Sequence, residues 1–250
     1  KIEQGNGTGG SRVSSLGTSA ARIASERVLE KARQIAAHLL EVSLSDIEFK
    51  DGSFEIVGTD RSVSWNKVVS AAFSEDQLPE GMEAGLSVKA HFQSTAPNFP
   101  SGCHACEVEV DMETGKVDIV RYVGVSDVGN VINPLLLNGQ IYGGIGQGAG
   151  QVLMEGICYD PETGQMQTGS FLDYAMPRAS DFCLFELRDN PTTTDVNPMG
   201  AKGAGEVGTA CAMPTVVNAV VDALSPLGVK HVDMPVTPQN IWSAIKNASQ

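Results

Sequence analysis

Between residues 18 and 40 the apolar side chains return at helical spacing: Ile23, Leu29, Ala32, Ile35, Ala36 and Leu39 share one face. The pattern predicts a long helix from Thr18 to Leu40, capped by Thr18 or Ser19. After a polar turn at Ser45-Asp46 the period changes to two. Ile47-Glu48-Phe49 and Phe54-Glu55-Ile56-Val57 flank Lys50-Asp51-Gly52, which reads as a hairpin with an Asp-Gly turn. A short helix is expected from Ser64, its cap, to Phe73, then a polar connection over 74–85 and a strand over Leu86 to Phe92. A second hairpin pairs Glu107–Val110 with Lys116–Tyr122 across Glu113-Thr114-Gly115, and strand character continues through Val125. Asn133-Pro134 opens a helix, with asparagine as cap and proline in the first turn. Further on, residues 157–172 suggest a hairpin and 189–200 a loop, while helices are expected over Pro214–Leu224 and Gln239–Asn247, the last behind Thr237-Pro238. Helices and strands mix without regular βαβ alternation, so the expected class is α+β, mixed sheets with packed helices. Two subdomains are expected, 1–100 and 101–250.

Composition narrows the function classes. The 250 residues are 42% hydrophobic, enough for a real core. No run of eighteen apolar residues occurs, so no membrane span is expected. The net charge of −13 offers no basic surface for phosphate backbones, which argues against nucleic acid. The five cysteines, at 103, 106, 158, 183 and 211, are odd in number and scattered, which fits a reducing cytoplasm. Cys103-His104-Ala105-Cys106 is a lone C-x2-C, short of a zinc or iron–sulfur ligand set, and its thiols read as ordinary buried ones. His38 and His231 read as structural, and Asp127 and Asp173 as single carboxylates without an evident partner.

The 27 glycines cluster in three places. The loop GNGTGGSR (5–12) resembles a phosphate cradle, in which glycines expose N–H groups and Arg12 offers a bidentate donor. A glycine-rich turn fits it equally well. The segment from Leu136 to Met154 is helical in pattern but carries Gly139, Gly143, Gly144, Gly146, Gly148 and Gly150. Each glycine costs a helix about 1 kcal/mol against alanine. The offsetting gain is close approach of another backbone or of a flat ligand. Gln140, Gln147 and Gln151 could read a ring edge there. The third cluster, GAKGAGEVGT (200–209), holds Glu206 among residues too small to cover it. Such a carboxylate is open to a ligand and could act as a general base. On its own the short GxGExG pattern favours a plainer role, capping a helix that starts near Ala212.

Taken together and in this order, these three segments, with LDYAMPR (172–178), resemble the molybdenum hydroxylases, the family of xanthine dehydrogenase, aldehyde oxidoreductase and aerobic carbon monoxide dehydrogenase. The likeness runs from Gly5 to the final Thr-Pro-Gln-Asn-Ile-Trp helix and is strongest to bacterial large subunits. It implies a C-terminal molybdopterin-binding portion. The cofactor would be molybdopterin with molybdenum in the cytosine dinucleotide form, and 2Fe–2S clusters and FAD would sit on partner domains or subunits. Glu206 matches the family glutamate that takes a proton from a hydroxyl on molybdenum, the group that hydroxylates the substrate with oxygen from water. Gln147 matches a glutamine that contacts the pterin. Thr8, Gly9, Gly10, Ser11 and Arg12 match the loop near metal and phosphate, and Lys202, Gly203 and Gly205 belong to the cofactor-binding loop. Family large subunits are much longer, so the chain is expected to be inactive without an N-terminal portion. A non-catalytic cofactor-binding or assembly module, and an unrelated phosphate-binding protein, are the alternatives.

Overall fold

The computed structural model describes Gly5 and residues 7–248. Asn6 of the first glycine loop therefore lies outside the described residues. The chain divides into two compact units, Leu16–Ser94 and a larger one made of Lys1–Ser15 with Thr95–Gln250. The expected boundary at 100 falls close to the Ser94/Thr95 join. The first glycine loop, expected within the first subdomain, groups instead with the larger unit.

The smaller unit is built on α1 (Thr18–Leu40), which has the expected bounds. Its start differs from expectation. A wide helical turn, Val13–Gly17, runs straight into it, so Gly17 holds the cap position and Ser19 is buried inside the helix. The first hairpin forms as β1 (Ile47–Lys50) and β2 (Ser53–Ile56). Asp51 and Gly52 take the two positive φ angles that its tight turn needs. A third strand, β3 (Ser62–Ser64), completes an antiparallel sheet and leads into α2 (Trp65–Ala72). Ser64 caps α2 as expected, accepting from the Lys67 amide at 3.4 Å. Ile35, Phe54, Ile47 and Val68 form this unit's core. Residues 86–92 do not form the expected strand. They pair with no strand of either sheet among the described residues, and the Lys89 carbonyl is taken by the Arg27 guanidinium.

In the larger unit the second hairpin is longer than its alternation suggested. β4 (Ser101–Val110) and β5 (Val117–Asp127) pair antiparallel along their length, with a bulge at Glu107/Val108. β6 (Phe185–Asp189), not anticipated, adds to β5 in parallel. Between them α3 (Pro134–Leu153) starts at the expected Asn133 cap, whose side chain accepts from the Leu136 amide at 3.1 Å. The expected hairpin over 157–172 is reduced to one bridge, Tyr159 to Met166.

The largest correction concerns α4, which runs Val207–Leu224 and so begins well before Pro214. Proline inside a helix removes one N–H and leaves the carbonyl four residues earlier unpaired. That carbonyl belongs to Ala210, which is exposed, so water can satisfy it. By length and apolar composition 207–227 could cross a membrane. Here Ala212, Val216, Val220 and Leu224 are buried in the core against Ile141, Ile145, Val152 and Tyr122. The last helix, α5 (Pro238–Ala248), buries Ile241 and Ile245 in the same core, and Thr237 accepts from the Asn240 amide as its cap.

The glycines of α3 and α4 show why those helices touch. A methyl group added at Gly144 would stand 2.9 Å from the Thr209 amide nitrogen, and one at Gly148 the same distance from the Thr209 carbonyl oxygen. One at Gly208 would collide with the Ile141 carbonyl. The backbones therefore meet directly. Gly139 and Gly143 point the other way, with nothing within 4 Å of an added methyl group. One helix thus carries a packed glycine face and an open one.

Candidate active site

The two glycine loops meet at the N-terminus of α4. Glu206 occupies the cap position of that helix, but its side chain makes no cap hydrogen bond. Its Oε2 instead accepts from the Ser11 hydroxyl at 3.0 Å, across 195 residues of sequence. Glu206 thus holds the cap position without capping the helix through its side chain. The carboxylate lines a pocket of about 380 Å³ together with Gly10, Ser11, Asn98, Gly203, Val207 and Cys211.

The floor of this site is pinned from behind. Residues 200–202 lie antiparallel to the chain that leaves β5, through a Gly129–Ala201 bridge, with Asn130 N–H donating to Gly200 and Lys202 N–H to Val128. The Lys202 ammonium meets the Asp127 carboxylate at 2.7 Å. Asp127, read from sequence as lacking a partner, also accepts from the amides of Gly129 and Thr192. Burial alone would push its carboxyl up; Lys202 and the two amides outweigh it and hold the group well below the ordinary carboxylate range. Lys202 therefore spends its charge on the scaffold and is not among the pocket-lining residues. Two amides complete the frame: half-buried Asn98 and buried Asn197 both donate to the Ala201 carbonyl at 2.8 Å.

The remaining candidates divide. Gly203 has no room for a side chain because Ser11 fills the space beside it, and a methyl group at Gly205 would press on the Ser11 hydroxyl at 3.0 Å. Thr8, Gly9, Gly10 and Arg12 are exposed, and nothing stands within 4 Å of a methyl group added at Gly7, Gly9 or Gly10, so one side of the loop is open to a ligand. The Arg12 guanidinium turns back to the Gly7 carbonyl at 3.3 Å. Gln147 is exposed on α3, and its amide oxygen lies 3.2 Å from the Thr209 hydroxyl on α4. Thr209 stands one helical turn after Glu206, so Gln147 and Glu206 flank the same stretch of α4. Pocket residues Asn98 and Cys211 had no signal in the sequence, where they are a loop amide and a scattered thiol.

The C-x2-C pair splits between faces of β4. Cys103 is exposed, against expectation, while burial pushes the Cys106 thiol up to about 12. Asp173 accepts from the Ser170 hydroxyl, and His231 pairs with Asp233 at the surface. No cluster of three metal-ligating side chains occurs among the described residues.

The sequence and the fold both match known proteins. The model of the molybdopterin cofactor-binding domain matches residues 1–183. The chain belongs to that family, within the molybdenum hydroxylases. It is 37% identical to subunit gamma of the 6-hydroxypseudooxynicotine dehydrogenase complex of Paenarthrobacter nicotinovorans, over 97% of this chain and 30% of that one. Against the carbon monoxide dehydrogenase large chain of Hydrogenophaga pseudoflava it is 32% identical, with the same coverage of 97% and 30%. The solved structure of quinoline 2-oxidoreductase from Pseudomonas putida 86 superposes with a TM-score of 0.89 at 35% identity, covering 97% of this chain and 31% of that one. The chain thus spans about 30% of the length of the curated relatives it matches. Family membership sets aside an unrelated phosphate-binding protein.

Proposed function

We propose that this chain is the molybdopterin-binding C-terminal part of a hydroxylase large subunit, with Glu206 as its catalytic base. The observation that carries the reading is the placement of Glu206. Its carboxylate faces a pocket, stands at the meeting point of both glycine loops, and is not consumed as a helix cap. When bound, the cofactor supplies the redox centre that takes electrons from the substrate. The chain's own residues do the rest. Glu206 accepts the proton released as water-derived oxygen joins the substrate. The open loop of Thr8, Gly9, Gly10 and Arg12 offers N–H and guanidinium donors to the cofactor's phosphate, in its cytosine dinucleotide form. Gln147 presents donors to the pterin edge beside the bare flank of Gly139 and Gly143, where a flat ring system can lie against the helix.

The surface supports a part that is completed by more protein. Phe171, Leu172 and Leu184 are 84%, 95% and 85% exposed, and Leu135 at the start of α3 is 81% exposed. We read these bare apolar side chains as contact surface. On this reading they are covered by the N-terminal portion of the large subunit, which supplies the pocket's other wall. Iron–sulfur and flavin subunits carry electrons onward, and the five free cysteines suit a reducing cytoplasm. A non-catalytic module of the same fold would need no pocket carboxylate, and Glu206 is the acid there.

The test compares the 250-residue chain produced alone with the chain joined to the upstream portion and partner subunits. The proposal expects molybdenum and substrate-dependent dye reduction only in the assembly. Bound metal with turnover in the chain alone would overturn it.

A further inference from the structure

Ser11 comes from the loop assigned to cofactor phosphate, yet its side chain does something else. A phosphate cradle turns its donors toward the ligand. The Ser11 hydroxyl turns instead to Glu206 Oε2, at 3.0 Å. Its backbone is set for this. Ser11 has φ +56°, in the left-handed region that residues with a Cβ avoid, directly after Gly10 at φ +59°. The opposite loop makes space for it. A methyl group at Gly203 would stand 2.8 Å from Ser11 Cβ, and one at Gly205 would stand 3.0 Å from its Oγ. A strained serine seated in a slot of two glycines, with its hydroxyl on the pocket carboxylate, is a specific arrangement.

We propose that Ser11 is a positioning residue: by donating to Oε2 it fixes the plane of the Glu206 carboxylate and leaves Oε1 to face the pocket. This rests on the reading of Glu206 as the base. Arg12 donates to the Gly7 carbonyl, Lys202 is bound to Asp127 behind the loop, and Cys211 on α4 and Cys103 on β4 are thiols.

The test uses the assembled, metal-loaded enzyme with isotope-edited infrared spectroscopy of glutamate carboxylates. Subtracting the spectrum of Glu206→Gln isolates the Glu206 band. Ser11→Gly suits the positive φ, so it removes the hydroxyl without adding strain. Ser11→Asn also tolerates that backbone and restores a donor. In Ser11→Gly the Glu206 carboxylate stretch is expected to move from its wild-type frequency, as loss of the hydrogen bond on one oxygen implies, with molybdenum content unchanged. Dye-reduction turnover falls about ten-fold alongside it, the size expected for one lost hydrogen bond to a charged group. Ser11→Asn returns the band toward wild type. An unmoved band in Ser11→Gly overturns the proposal, whether or not cofactor is lost. If Glu206→Gln itself retains turnover, the reading of Glu206 as base fails, and that outcome is separate from the Ser11 result.

Discussion

Lys202 Nζ lies 2.7 Å from Asp127 Oδ2, with the two side chains only 12% and 16% exposed. The pair joins the end of β5 to the loop that carries Glu206, across 75 residues of sequence. Asp127→Ala strands the ammonium and two loop amides. Removing one partner of a buried pair costs about 3–5 kcal/mol, so a loss of about 2 kcal/mol is expected for this slightly exposed one. Urea unfolding measures it. The same change is expected to lower molybdenum content in the assembly, because the loop beneath the pocket loses its anchor.

The pair also sets a direction for pH. The Asp127 carboxyl is held well below its ordinary value in the fold. Its stabilisation is therefore fully present above the unfolded value of about 4 and is lost as pH falls through the lower, folded one. His104 behaves the same way higher up. Burial lowers its pKa, and its Nδ1 is engaged with the Tyr122 hydroxyl at 2.8 Å. Stability is expected to decline as pH drops below about 6.5. Unfolding midpoints recorded from pH 7 to 5 should fall, and should fall less in His104→Gln.

Glycines on the two faces of α3 should respond with opposite signs. Gly143→Ala adds a methyl group in open space and raises helix propensity, so it should stabilise the chain by about 0.5–1 kcal/mol. Gly144→Ala pushes on the Thr209 and Gly208 backbone and should destabilise it by about 1–3 kcal/mol. Denaturant titration of both variants checks the pair. If the open face receives the cofactor, Gly143→Leu should leave the fold intact while reducing cofactor retention.

Thiol reactivity should follow burial. Cys103 and Cys158 are exposed and should be alkylated by iodoacetamide at pH 8. Cys106, pushed up to about 12 by burial, should stay unmodified until the chain unfolds. Peptide mass spectrometry after timed alkylation reads the order.

What the sequence disclosed was mostly local. The period of α1, the Asp51-Gly52 turn and the Asn133-Pro134 start of α3 are each decided within a few residues, and each appears where expected. Three features were hidden because they depend on distant partners. β6 exists because β5 is beside it, whereas residues 86–92 pair with no strand among the described residues. The first two turns of α4 read as loop because glycine and Pro214 disfavour a helix, yet packing against α3 stabilises one. The site followed the same rule. Glu206, Gln147 and the glycine loops could be named from their motifs, whereas the contacts of Glu206 with Ser11 and of Lys202 with Asp127 needed the fold.

The central claim is that Glu206 serves as a base rather than as structural support. Its most direct test is Glu206→Gln in the assembled enzyme, measured by molybdenum content and by dye reduction over a panel of N-heterocycles, aldehydes and carbon monoxide. The amide keeps the size of the side chain and can still accept from Ser11, so the fold and metal content should match wild type. Turnover should fall by at least about 100-fold, the lower range for a lost general base. A variant that retains both metal and wild-type turnover would contradict the claim.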